Sequence, residues 1–438
     1  MDIAEKSRAR ALLEPLIRHL KEFEDRFVRK RVWGELQATI AILLWMQPLV
    51  RASLKSACES FFDLFRTRFG LEGDAPDPGG LQRAIRKVPI DRLNDLHDVM
   101  CTQARSKARC RLPPWLRAIG RPILAVDGTT FSTTRTPARA REFPVIHDRQ
   151  GQELSPHPLT RLVVAWDIIS HCPVTWWLSS IKTGERLSFA SMLGKVQQPS
   201  LFVFDRGFPS RDLFADLIDR GHWFIFRMVS GRAGAWPEVR AFLDSGKRSA
   251  RVDIAIGTGT SKRSANMRLI LRVFHRGRPK KGQQREIMIV VTNIPEGRLD
   301  DRSVVRLSHR RWGVETGYRE MKCFSATKDR WRSADKQGRE RELVAVMIWY
   351  TLTAMITGPL THGAGMEIDD EGWRANTCVV LRTAFFLLQV LVSKKVQESL
   401  ILELERRLRR VIRWRQKKRP NRSEPRRKRQ NAMAYEHS

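Results

Sequence analysis

Ile123–Asp127 reads ILAVD and Leu201–Asp205 reads LFVFD. Each is a short run of apolar, strand-favouring residues closed by an aspartate. Three further runs are similarly rich in strand-favouring residues: RLVVAWDI (Arg161–Ile168), VTWWLSSI (Val174–Ile181) and HWFIFRM (His222–Met228). All five are bounded by Gly, Pro or polar turns. A helical stretch, Glu185–Val196, separates the third run from the fourth. A second, Ser210–Arg220, separates the fourth from the fifth, with Phe214, Leu217 and Ile218 on one side. The chain order is therefore β-β-β-α-β-α-β.

That order predicts an α/β fold with a ribonuclease H-like core, β-β-β-α-β-α-β-α once a downstream helix is included. In such a core the first and fourth strands lie side by side and parallel, and both of those strands end here in an aspartate. Asp127 and Asp205 are then neighbours at the carboxyl edge of the sheet, where open α/β sheets place their sites. Two like charges so close are costly unless a cation sits between them. The pair predicts a divalent metal.

Around this core the texture shifts several times. Residues 1–115 read as a helical N-terminal domain, with apolar positions at three- and four-residue spacing through Leu12, Leu13, Leu16, Ile17 and Leu20 and again through Leu93, Leu96 and Met100. GDAPDPGG (Gly73–Gly80) marks a loop between them. Residues 116–228 form the first part of the core. Residues 229–300, with RVDIAIGTG, MRLILRVFHRG and REIMIVVTNI, read as a β-rich insertion. GTGTSK (Gly257–Lys262) lacks phosphate-loop spacing and reads as a turn. Residues 301–340 hold a core helix, 341–405 a helical C-terminal region, and 406–438 a basic, flexible tail in which Arg406–Arg429 has one Glu, Glu424.

Charge narrows the function. The 438 residues carry 80 Lys plus Arg against 47 Asp plus Glu, a formal charge of +33. An excess of this size favours a polyanionic partner, with DNA or RNA ahead of an anionic membrane surface. The apolar runs Leu36–Val50 and Leu343–Thr357 are about 15 residues each, short of the roughly 20 a membrane span needs, and read as buried helices. The N-terminus has charges where a signal peptide needs an apolar core. Cys58, Cys101, Cys110, Cys172, Cys323 and Cys378 are scattered without a C-x-x-C pair, predicting neither a disulfide framework nor a zinc site. The expected location is cytoplasmic.

A third acid lies in LSHRRWGVETGYREMK (Leu307–Lys322). Arg311 precedes Glu315 by four residues and Lys322 follows it by seven, which puts them roughly 40° and 20° from it around a helix, so the three share a face. Glu320 points away, toward solvent or another helix. Taken alone, Arg311–Glu315 is a common surface pair, and a strand-end Asp is often a turn residue. The combination singles out Asp127, Asp205 and Glu315; Asp148, Glu153, Asp167 and Glu185 have no comparable placement.

The blocks AVDGTTF (Ala125–Phe131), FDRGF (Phe204–Phe208) and RWGVETGYREMK (Arg311–Lys322) resemble those of the Asp-Asp-Glu transposases of bacterial insertion sequences, in the IS-four branch that includes the transposon-five enzyme. That branch carries a Y-(2)-R-(3)-E-(6)-K signature. Arg311, Glu315 and Lys322 fall at its spacing, while Ser308 stands at the tyrosine position. The resemblance implies that Asp127, Asp205 and Glu315 bind two Mg²⁺ ions, with Mn²⁺ able to substitute, for cleavage at element ends and strand transfer into target DNA. It implies that Arg311 and Lys322 hold the DNA backbone, that the N-terminal helices bind DNA ends, and that a homodimer forms the synaptic complex on the nucleoid. Relatives often flip a base onto a tryptophan, for which Trp223 and Trp236 are possible counterparts. The alternatives are a catalytically inactive DNA-binding relative and a nuclease that cuts without joining.

Overall fold

The computed structural model describes residues 33–49, 53–109, 112, 114–137, 142–147, 150–153, 155–231, 234–274, 286–324, 330–333, 335–363, 373–392, 398–413 and 416–417, together with Leu13, Glu14, Leu16, Arg18 and His19. The helix expected through Leu12, Ile17 and Leu20 and the tail past residue 417 lie outside the described residues, apart from the five just named.

Among the described residues the N-terminal part holds α1 (Glu35–Trp45), α2 (Leu54–Phe69), α3 (Pro78–Lys87), α4 (Ile90–Arg109) and the single turn α5 (Pro114–Arg117). Ser53 and Asp77 cap α2 and α3, their side chains accepting the Ser56 and Gly79 N–H groups. Pro78 at the first turn and Asp77 before it start α3 inside the expected loop, because both suit a helix N-terminus. Leu93 and Met100 of α4 are buried.

The core follows the expected order: β1 (Ile123–Thr133), β2 (Leu159–Asp167), β3 (Cys172–Ser180), α6 (Glu185–Leu193), β4 (Leu201–Phe204), α7 (Arg211–Asp219) and β5 (Trp223–Met228). The next segment carries α8 (Pro237–Asp244), β6 (Ser249–Ile256), β7 (Arg263–Phe274) and β8 (Glu286–Thr292). Its strands do not stand apart from the core. They extend the same sheet, whose order is β3-β2-β1-β4-β5-β8-β7-β6, because β8 pairs antiparallel with β5. Gly257–Lys262 is a turn with a short 3-10 segment. After α9 (Asp301–Arg310) and α10 (Trp312–Phe324), a two-residue strand β9 (Arg330–Trp331) joins β1 at Ser132 and Thr133. α11 (Lys336–Gly363), α12 (Thr377–Val392) and α13 (Glu398–Arg413) complete the described helices.

Apolar residues on both faces of the strands make this a three-layer molecule. Ile123, Ala125, Val164, Val203 and Ile225 face a core shared with α1, α4, α11 and α12. Their neighbours Leu124, Val126, Phe202, Phe204, Phe224 and Phe226 face α6, α7 and α8. Each buried Phe or Leu of this kind contributes about 1.5–3 kcal/mol. The run Leu343–Thr357 is the buried middle of α11. Among the described residues no helix is long and apolar enough to cross a membrane.

Two boundaries differ from the expectation. α13 runs to Arg413 rather than giving way to a flexible tail at 406, because Leu404, Leu408 and Val411 recur at helical spacing and are buried. β1 does not end at Asp127. It continues to Thr133, paired with β2 along its whole second half, so Asp127 lies mid-strand.

Candidate active site

β1 and β4 pair in parallel only over Ile123–Ala125 and Leu201–Val203. β4 stops at Phe204, and continuing the register by two residues sets Asp127 level with Asp205. From there to Ser132 no described β4 residue pairs with β1. Alternation along β1 puts Asp127 on the face of Ile123 and Ala125, the face that α10 covers.

α10 reaches the site through Arg311, Glu315 and Tyr318. Arg311 joins α9 to α10 in helical conformation, φ −51° and ψ −30°. Its guanidinium faces all three expected acids: Nη1 is 3.1 Å from Asp127 Oδ2, and Nη2 is 2.7 Å from Glu315 Oε1 and 3.8 Å from Asp205 Oδ2. The side chains form a gradient, with Arg311 7% exposed, Asp127 19%, Asp205 35% and Glu315 41%. The cation is the most buried of the four groups and Glu315 the most exposed. Arg311 is thus committed to carboxylates in this structure rather than displayed along the helix surface.

The electrostatics follow from one cation shared by three anions. Burial pushes the Asp127 carboxyl up to about 6; Arg311 and the Gly128 N–H pull it down, while Glu315 and Glu185 add to the rise. Burial lowers Arg311, but Asp127, Asp205 and Glu315 outweigh it and hold the guanidinium above its ordinary value. The two directions are compatible. Arg311 sees three carboxylates, whereas Asp127 has only a part of one guanidinium to offset its desolvation.

Tyr318 fixes Asp127 from behind. Its phenol donates to the Asp127 carbonyl at 2.5 Å and accepts from the Val164 N–H at 3.1 Å. Asp127 and Val164 are register partners of β1 and β2, so the hydroxyl bridges the ladder at that step. Burial and the nearby Asp127 charge push the phenol well above its ordinary value, keeping it a donor. At the preceding residue, a Cβ on Gly317 would come 3.2 Å from the Trp166 ring, and glycine allows α10 to sit that close.

Glu185, which sequence spacing gave no special place, lies at the same step of the sheet on the opposite face. A Cβ on Gly128 would fall 2.6 Å from Glu185 Oε1, and Arg161 Nη1 pairs with that oxygen at 2.7 Å. Only the glycine of the DG pair lets the α6 N-terminus approach the strand this closely. The signal in the sequence was Gly128 itself.

The remaining expected residues are separated from the acids. Lys322 lies with Nζ 5.7 Å from the centre of the Phe131 ring, four residues beyond Asp127 and about 13 Å along β1. Glu320 accepts from Thr377 Oγ1 of α12 at 2.8 Å, so it faces another helix. Ser308 donates to the Val305 carbonyl of its own helix at 2.7 Å. Trp223 begins β5, at the amino end of that strand, stacked under Arg121 at 3.8 Å. Trp236 packs on Phe214 and under Arg211. Both indoles serve packing in this structure.

Three acids distant in the sequence thus meet beside the central strands of a mixed sheet that has nine strands among the described residues. Residues 118–352 match the family described as Transposase DDE domain, and the chain belongs to that family. It is similar to the transposase InsG for insertion sequence element IS4 of Escherichia coli (strain K12), 25% identical over 250 residues that cover 55% of this chain and 52% of that protein. It is also similar to the provisionally named transposase InsZ of the same organism, 25% identical over 181 residues covering 40% of this chain and 56% of that one. The chain thus spans about half the length of the curated relatives it matches.

Proposed function

We propose that the protein is a DNA transposase that cleaves the ends of its own insertion sequence and joins them to target DNA. In this reading the sheet and its helices are a ribonuclease H-like core. One observation carries the proposal: Asp127, Asp205 and Glu315, from three separate elements, converge on a single guanidinium.

The donor set fits a divalent cation. All three donors are carboxylate oxygens, which suit hard Mg²⁺. They already surround positive charge, and the desolvated Asp127 has less compensation than it needs. Asp127, Asp205 and Glu315 would hold the metal pair, which when bound supplies an activated oxygen nucleophile and charge for the leaving oxygen.

The chain's own groups do the positioning. Tyr318 holds the Asp127 backbone and Arg311 draws the three acids together. Were the acids' charge met by metal, Arg311 would be released from them to hold the DNA backbone. Lys322 of α10, beside Phe131 farther along β1, grips the backbone of the same DNA strand. The partners are double-stranded DNA, as terminal repeats and as target, and a second copy of the chain in the synaptic complex. Residues 1–115 recognise the ends, and the protein works on the nucleoid.

A second reading, an end-binding protein without chemistry, is favoured by Ser308, whose hydroxyl is turned to its own helix. The test is a labelled terminal fragment incubated with purified protein and Mg²⁺. Nicking and joining are expected. Asp205→Asn and Glu315→Gln should each abolish both while the gel shift remains. Binding without nicking by the unmutated protein selects the second reading, and nicking without joining selects a nuclease.

A further inference from the structure

Away from the acids, at the other end of the first three strands, the fold assembles a set of donors that the spacing of the cysteines did not foretell. His97 and Cys101 lie one turn apart on α4, and Cys172 is the first residue of β3. All three are buried, at 1%, 4% and 0% exposure, and one donor atom from each lies within 4.8 Å of the others. The geometry points to a structural zinc site formed by His97 Nε2, Cys101 Sγ and Cys172 Sγ, with the Pro173 carbonyl oxygen as fourth ligand.

Four distances argue for this. Tetrahedral zinc, with bonds of about 2.0–2.3 Å, sets its ligand atoms roughly 3.3–3.8 Å apart. Here His97 Nε2 is 3.0 Å from the Pro173 oxygen, Cys101 Sγ is 3.8 Å from it, Cys172 Sγ is 3.6 Å from it, and the two sulfurs are 3.3 Å apart. These four of the six ligand-to-ligand edges lie within about half an ångström of tetrahedral length, and the two from His97 to the sulfurs are at most 4.8 Å. The other ring nitrogen, His97 Nδ1, is 3.2 Å from Asp98 Oδ1. With metal on Nε2 in place of a proton, Nδ1–H would donate to that carboxylate, the arrangement metal-bound imidazoles use.

Charge and softness select the metal. Two thiolates and a neutral imidazole around a 2+ ion are neutral overall, which a buried site requires. Sulfur donors favour zinc over magnesium, so this site and the three acids would not compete for one ion. The site would tie α4 of the N-terminal helices to the start of β3, and through β3 to the central sheet.

The proposal is independent of the transposase reading, because its readout is sulfur ligation in the full-length folded chain. Protein purified without chelator should hold one equivalent of zinc after dialysis. Replacing it with Co²⁺ should give sulfur-to-cobalt charge-transfer absorption, which oxygen ligands at Asp127, Asp205 and Glu315 cannot produce. Cys101→Ser and Cys172→Ser should each halve that absorption, and Cys378→Ser should leave it unchanged. A folded unmutated chain that holds no stoichiometric zinc and gives no such band on cobalt titration overturns the site. So does a Cys101–Cys172 disulfide found by mass spectrometry in the native protein. Both decisive measurements use the unmutated chain, so a variant that fails to fold does not blur the result.

Discussion

Asp127 and Asp167 are aspartates on adjacent antiparallel strands, and Asp167 stands opposite Leu124, three residues from Asp127 on β1. Their surroundings are opposite in kind. Asp167 accepts the Ile169 and Ser170 N–H groups at 2.9 Å each and pairs with Arg105 at 3.2 Å, with its side chain 2% exposed. Asp127 accepts one backbone N–H, from Gly128, and has part of a guanidinium that two other acids also claim. One carboxylate is saturated by its own fold. The other is gathered with its like charges and left in deficit, which a structural role does not require and a cation-binding role does.

The largest expected effect breaks the comparison in activity. Asp127→Asn should lower DNA cleavage by roughly a thousandfold or more, since it removes one carboxylate of the proposed metal site and several kcal/mol of transition-state stabilisation. Asp167→Asn, measured under conditions where the protein is folded, should leave the cleavage rate within a few-fold. Equal losses from both would erase the distinction.

Stability should rank the pair the other way. Asp167→Asn leaves Arg105 half-buried without its anion and weakens two backbone bonds, at a cost of about 2–4 kcal/mol in chemical denaturation. Asp127→Asn should instead stabilise the metal-free protein. The Asp127 carboxyl, raised from 3.8 to about 6, binds its proton more tightly folded than unfolded. Its contribution is fully present below about pH 4 and is lost as pH rises through about 6. The variant should therefore match the parent near pH 4 and exceed it above pH 6, by about 3 kcal/mol or less. A stability gain that grew toward acid pH would contradict that sign.

How far the sequence foretells this arrangement depends on which interaction carries the information. Strand order was legible because ILAVD and LFVFD are buried on both faces and need no partner to be recognised. The i−4 spacing of Arg311 and Glu315 was legible because a helix brings such residues together locally. The continuation of β1 through GTTFST was not, because Gly and Thr there read as a turn until β2 supplies the pairing. Nor was the hold of Tyr318 on Asp127, which joins residues far apart in the chain through one hydroxyl. His97, Cys101 and Cys172 were invisible for the same reason, two of them on a helix and the third at a strand start brought beside it by the fold.

The smallest effect sharpens the comparison most finely, because it reaches Asp127 through the sheet. Glu185 lies against Gly128 on the face opposite α10, and its charge helps raise the Asp127 carboxyl. Glu185→Gln removes that charge and leaves Arg161, its partner at 2.7 Å, as a cation without this anion. Both changes favour the ionised form of Asp127, so they act in one direction. The acid limb of the cleavage pH profile should move down by a few tenths of a unit, a size fitting a secondary charge rather than desolvation. Asp167 has its own guanidinium and two N–H donors, so the same substitution should leave the stability that Asp167→Asn removes untouched. A profile that stayed fixed would mean that Glu185 is only a packing partner of Arg161, and that the deficit at Asp127 is set entirely on the α10 face.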